Sequence, residues 1–233
     1  MINKSFTVQR EYLGDERNKV IVCDDFLSDP LRLIEYATRI RFSASPMLRQ
    51  RKGYPGVRGP MPIEIVEPMV NNLKRIIKTE FDVPDNFHLD RPQSSLCMMT
   101  VPEEELGPHQ TIPHFDTSKN QFFAALLFLC GEEHGGTGFY KHKSTGYESI
   151  SSDRSDSYLD KCFEELNGKE VKKRYFSESD DYYTKIGFFP AQLNRLLIYR
   201  GCLLHSANIK SPVSLTADAG AGRLTANIFL SFS

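Results

Sequence analysis

The sequence predicts an α+β fold, mainly β, in which helices come first and a barrel or sandwich of antiparallel strands follows. Three observations carry this. Two segments before residue 82 place apolar residues at helical spacing. From residue 94 onward the apolar pattern becomes short and strand-like. Gly, Pro or polar turns separate these later runs, as hairpin connections require.

Residues 19–27, KVIVCDDFL, form a β-branched run closed by acidic residues and read as a buried strand. In the following SDPLRLIEYATRI, Ser28 or Asp29 can cap a helix and Pro30 suits its first turn. Leu31, Ile34 and Ala37 would share its buried face. Residues 43–61 hold Gly, Pro and Arg without a period and read as an ordered loop. A second helix is expected from Ile63 to Phe81, with Ile65, Val70, Leu73, Ile76 and Ile77 apolar; Pro68 lies near its start or kinks it. SSLCMMTV, QFFAALLFL, TGFYKHKS, RLLIYRG, CLLHSANI and RLTANIFLSF then read as strands. Between the third and fourth lies a charged block, 144–190, with a helix near 156–167 and the aromatic DDYYTKIGFF; it reads as an insertion. Tyr182, Tyr183, Phe188 and Phe189 either dock this block or form a lid.

A chain of 233 residues suffices for a single domain, 1–233, with a strand and helical layer at 1–93 and a β core at 94–233. A net charge of −1 gives no global pull towards nucleic acid or anionic membrane. Five widely spaced cysteines with no CxxC pair point to reduced thiols, and the polar N-terminus has no apolar leader run, so a cytoplasmic protein is expected. The longest apolar run, FFAALLFLC, is too short to cross a bilayer.

The chemistry concentrates in three places. In TIPHFDTS, His114 and Asp116 project to one face if 112–117 is extended, with Phe115 on the other. One imidazole and one carboxylate suit Fe(II), Mn(II) or Zn(II). His205, in CLLHSANI, is the candidate third ligand. In RLTANIFLSF, Leu224, Ala226, Ile228 and Leu230 form an ordinary core face, whereas Arg223, Thr225, Asn227 and Phe229 share the other. A polar row on a central strand is costly unless it lines a ligand cavity, and an arginine fork is the usual partner of a buried carboxylate. Two histidines and a carboxylate form the facial triad of non-haem Fe(II) oxygenases, which leaves open positions for a 2-oxo acid and dioxygen.

PHFD, CLLHSANI and RLTANIFLSF together resemble the Fe(II)/2-oxoglutarate-dependent dioxygenase superfamily. GGTGFY is similar to the Gly-rich segment that follows the first metal ligands in prolyl-hydroxylase-like members. YPGVRG, GGTGFYKHKSTG and NRLLIYRG resemble an uncharacterised bacterial family assigned to the superfamily. The resemblance covers 95–233 best. It implies a double-stranded β-helix, a jelly-roll or cupin-like barrel, with the N-terminal helices packed on one sheet. It also implies Fe(II) on His114, Asp116 and His205, and 2-oxoglutarate as cosubstrate on Arg223 assisted by Thr225. Arg223 lies farther beyond His205 than in many members, which makes Arg200 and Lys210 the alternative cations. Asn227, Tyr140 and Arg58 are candidate pocket residues. The implied activity is oxidation, most often hydroxylation, of a small molecule, amino acid or peptide. Phe229 stands where the nucleic-acid-demethylating AlkB-type branch has a second arginine, and an aspartate in the triad disfavours halogenation.

Plainer readings accompany these. His109, His134 and His142 flank Pro or Gly turns and read as solvated loop histidines. The basic run in 39–59 reads as a solvated loop, with Arg58 able to reach an acidic substrate group. GGTG lacks the Lys-Ser/Thr and following helix of a phosphate-binding loop. A Zn or Mn hydrolase or isomerase of cupin type would use the same ligands without Arg223, and a non-catalytic binding barrel would need no metal.

Overall fold

A computed structural model describes residues 2–167, 172–209 and 215–233. The chain opens with strands β1 (Gln9–Leu13) and β2 (Asn18–Cys23), helix α1 (Leu31–Arg39), the short strands β3 (Ser43–Ala44) and β4 (Gly56–Gly59), and helix α2 (Ile63–Glu80). Strands β5 (Gln93–Met99), β6 (Phe122–Phe128) and β7 (Gly136–His142) follow, then helix α3 (Ser155–Asn167). Strands β8 (Tyr183–Pro190), β9 (Leu196–Arg200), β10 (His205–Asn208) and β11 (Leu224–Ser231) complete the order.

Among the described residues all strand pairs are antiparallel and fall into two sheets. The larger has the order β1-β2-β9-β6-β11-β5-β4-β3 and the smaller β10-β7-β8. Both are open at their edges, so of the barrel or sandwich that the sequence allowed, the architecture is two facing sheets. Their facing sides meet in one apolar cluster that joins Val20, Val22, Leu197 and Tyr199 of the large sheet to Phe139 of the small one. The large sheet's opposite face packs on α1 and α2 through Leu33, Ala37, Met69, Leu73, Ile76 and Ile77. No helix is long and apolar enough to cross a membrane among the described residues.

Strand alternation assigns β11 its two roles. Leu224, Ala226, Ile228 and Leu230 enter the helix-covered core, and the residues between them face the small sheet. In α1 the buried face is Leu33 and Ala37 with Ile34 packed beside them; Leu31, expected in that stripe, is exposed. Asp29 accepts a bond from the Arg32 N–H (3.3 Å), as a capping carboxylate does. Pro68 lies inside α2, which continues beyond it.

Three stretches depart from the sequence reading. Gln9–Leu13 pairs with β2 although it lacks an apolar pattern, because an edge strand with four exposed residues needs none. The expected loop 43–61 contains β3 and β4. Tyr183–Pro190 pairs with β7 along its length and belongs to the small sheet, so the segment outside the sheet ends before it. Tyr183 is buried with Tyr140, Tyr158, Cys162 and Phe176 in a separate core under α3, which is the docking role.

Candidate metal centre and its cavity

Residues 112–117 form no ladder strand. His114 instead makes one isolated bridge with His205, the first residue of β10. Each backbone N–H donates to the other's carbonyl, at 2.9 and 2.8 Å. Two residues on, the Asp116 N–H donates to the Gly201 carbonyl at 2.7 Å. These backbone bonds hold the segment extended enough for His114 and Asp116 to share a face. The Phe115 ring turns to Tyr158 of α3, 5.8 Å between centroids.

One ligand atom from each of His114, Asp116 and His205 lies within 4.8 Å of the others, and His205 Nε2 is 4.0 Å from Asp116 Oδ2. A single ion with bonds near 2.1 Å holds its donors roughly 3–4 Å apart, so a small side-chain rotation closes the set. His205 Nδ1 is 2.8 Å from the Leu203 carbonyl. With the proton assigned to Nδ1, the Nε2 lone pair faces the triad. His114 counts as exposed as a whole, yet desolvation of its ring, reinforced by repulsion from His205, lowers it to about 4, with Asp116 opposing; burial also takes His205 to about 4. Both imidazoles are therefore neutral at pH 7, as ligation requires. Asp116 counts as exposed as a whole, yet its side chain is only 18% exposed, and burial raises its carboxyl from the usual range.

The triad opens on a cavity of about 400 Å³ between the two sheets. Its walls include Arg223, Thr225, Asn227 and Arg58 of the sequence-predicted set. Arg223 is 2% exposed. One of its terminal nitrogens donates to the Gly136 carbonyl (3.0 Å), another approaches Met99 Sδ at 3.9 Å, and its guanidinium lies 5.5 Å from the Phe128 ring centre. It has no carboxylate partner among the described residues. Six buried side-chain polar atoms there lack a hydrogen-bond partner, and five of them line this cavity: Arg223 Nε, Thr225 Oγ1, Thr137 Oγ1, Asn227 Oδ1 and Tyr54 Oη. An unmet buried polar group costs about 1–3 kcal/mol, so five in one cavity describe a site shaped for a polar ligand. Four of the five can donate, and a buried arginine favours an anion.

The other assignments divide. Tyr140 is a correction: Phe139 is the residue opposite His205, so Tyr140 points to the other face and donates to the Phe176 carbonyl at 3.1 Å. Arg200 binds the Asn120 and Phe81 carbonyls and lies over the Phe81 and Phe123 rings, away from the cavity. Lys210 lies outside the described residues. Exposed His109 is at the cavity rim. His134 and His142 are buried, against the solvated reading; His142 is bracketed by Thr145 (2.9 Å) and Glu165 (3.0 Å). Tyr54, Thr137 and Tyr199 escaped the sequence reading. Tyr199 is buried 5.0 Å from the His205 ring, and burial followed by the Asp116 charge holds its phenol protonated. A lone hydroxyl inside an apolar strand was the available signal for Tyr199.

Fold and site together define a mainly antiparallel β protein with an internal cavity and a His/Asp/His group able to hold a metal. The chain belongs to a family of unknown function (DUF6445), whose pattern matches residues 4–230. No curated protein matches it. Among solved structures it is similar to HygX from Streptomyces hygroscopicus, determined with nickel and 2-oxoglutarate bound, at a TM-score of 0.51 and 13% identity. That similarity covers 93% of this chain and 84% of HygX, and it is a likeness of fold.

Proposed function

We propose that this chain is an Fe(II)- and 2-oxoglutarate-dependent oxygenase, a single domain on a double-stranded β-helix, that oxidises a small molecule, amino acid or peptide. The observation that carries this is the buried, carboxylate-free Arg223 in the same cavity as His114, Asp116 and His205. A hydrolase using the same triad would leave that buried charge without a purpose. HygX, with metal and 2-oxoglutarate in a similar fold, supports the reading.

Iron on the triad, with 2-oxoglutarate, would supply the oxidising chemistry as the cosubstrate is converted to succinate and CO2. The chain's own share is positioning. His114, Asp116 and His205 hold the metal, and the Leu203 carbonyl fixes the His205 tautomer. Arg223 Nε–H and the Thr225 hydroxyl hold the cosubstrate's far carboxylate, each gaining the partner it otherwise lacks. Tyr199 keeps its proton and so faces the site as a donor. Ala124, Leu126 and Phe229 exclude water from the sheet side.

The test is oxygen-dependent formation of succinate from 2-oxoglutarate by the iron-loaded protein. Turnover that needs Fe(II) and falls to background in Arg223→Gln supports the reading. Turnover of other substrates with zinc alone, and none with iron and 2-oxoglutarate, contradicts it.

A further inference from the structure

The cavity wall carries a second arginine that the cosubstrate does not need. Arg58 pairs with Cys97 across β4 and β5, and Cys97 pairs with Thr225 across β5 and β11. Directly paired residues share a face, so Arg58 and Thr225 stand in one row, two strand spacings or about 10 Å apart. The two guanidiniums differ in setting. Arg223 is enclosed, whereas Arg58 is exposed and reaches the cavity from its open side.

The Arg58 guanidinium rests 5.1 Å from the Tyr54 ring centre, a contact that steadies it without consuming an N–H. No hydrogen bond or ion pair engages its donors among the described residues. The chain around it is one-signed: Arg49, Arg51, Lys52 and Arg58 fall within residues 49–58, which contain no acidic residue. Gly53 and Tyr54 of that stretch line the cavity, as do His109 and Gln110 across the rim. Gly107 ties these two edges together: a Cβ there would stand 2.1 Å from the Arg51 carbonyl oxygen, so the chains touch. Of these four cations, Arg58 is the one that lines the cavity.

We propose that Arg58 is the recognition group for an anionic primary substrate, one carrying a carboxylate or a phosphate monoester, bound at the open end of the cavity. This rests on the oxygenase reading, in which Arg223 is already committed to the cosubstrate. A planar fork with free donors binds either oxyanion in a bidentate manner. The apolar body of such a substrate would meet Tyr54, Tyr175 and Phe229.

The test uses the nickel- and 2-oxoglutarate-loaded protein, in which no turnover depletes the ligand. It is titrated calorimetrically with a fragment set of carboxylic acids and phosphate monoesters, each paired with its neutral amide or alcohol. The best acids are expected to bind at least about tenfold tighter than their neutral partners. Arg58→Gln abolishes that preference, Arg58→Lys keeps part of it, and both leave nickel and 2-oxoglutarate affinities unchanged. The arm that responds names the oxyanion. Absence of acid binding, equal binding of acids and neutral partners, or a preference that survives Arg58→Gln overturns the proposal. So does a loss of 2-oxoglutarate affinity in Arg58→Gln, which would assign Arg58 to the cosubstrate. Failure of the wild type to take up nickel and 2-oxoglutarate is seen before any fragment is added and counts against the oxygenase reading instead. The same titration on the unloaded protein then decides the Arg58 preference by itself.

Discussion

His114 and His205 exchange both backbone hydrogen bonds across a single bridge, which brings their rings to 4.3 Å between centroids. The bridge uses only main-chain atoms, so it survives loss of either imidazole. His114→Ala should therefore fold, with a circular dichroism spectrum like that of the wild type, and lose at least about 100-fold in metal affinity by equilibrium dialysis. Unchanged metal affinity would remove His114 from the site.

Thr225 offers a separation of stability from binding. Its hydroxyl is buried without a partner, and valine has nearly its shape. Thr225→Val should leave the ligand-free protein as stable or up to about 1 kcal/mol more stable, since an unmet polar group is removed. The same change should weaken 2-oxoglutarate binding several-fold. A destabilised variant with full cosubstrate affinity would show that the hydroxyl serves the fold.

Gly201 supports Asp116 through its carbonyl and leaves no room for a side chain. A Cβ there would stand 2.6 Å from the Phe122 ring and 3.3 Å from Asp116 Cβ. Gly201→Ala should cost about 1–3 kcal/mol in denaturant titration by overpacking and also lower metal affinity several-fold. A stability loss with metal affinity intact would confine Gly201 to packing.

The triad histidines also predict an acid response of the metal-free protein. Burial holds both near 4 against an ordinary 6.5, so the unfolded chain takes up protons that the folded one refuses. Their contribution to stability is complete above pH 6.5 and is lost as the pH falls towards 4. Asp116, raised by burial, acts in the opposite sense. The fall in thermal midpoint between pH 7 and pH 4.5 should be smaller in His205→Gln than in the wild type; equal falls would contradict the assignment.

What the sequence disclosed follows its periodicities. The two faces of 223–230 were legible because a central strand must alternate, and a row of Arg, Thr and Asn has no other place on it. The two helices were legible from their apolar stripes. The HxD pair was legible as a motif, but the bridge that aligns it is a single residue pair between segments 91 positions apart, which no local pattern encodes. The Arg58–Cys97–Thr225 row likewise depends on register between three strands, one of them read as loop. Tyr140 was misplaced because the face of a strand residue depends on which neighbour meets His205, and that neighbour is Phe139. Gln9–Leu13 was unreadable as a strand because its exposed edge needs no apolar alternation.

The most direct measurement is the visible absorption spectrum of the protein mixed anaerobically with Fe(II) and 2-oxoglutarate. A metal held by His114, Asp116 and His205 with the cosubstrate chelated gives a weak charge-transfer band. The band should be absent in Asp116→Ala, and in Arg223→Gln it should need at least about tenfold more 2-oxoglutarate to form. No band in the wild type, or one that Asp116→Ala leaves undiminished, would contradict the account.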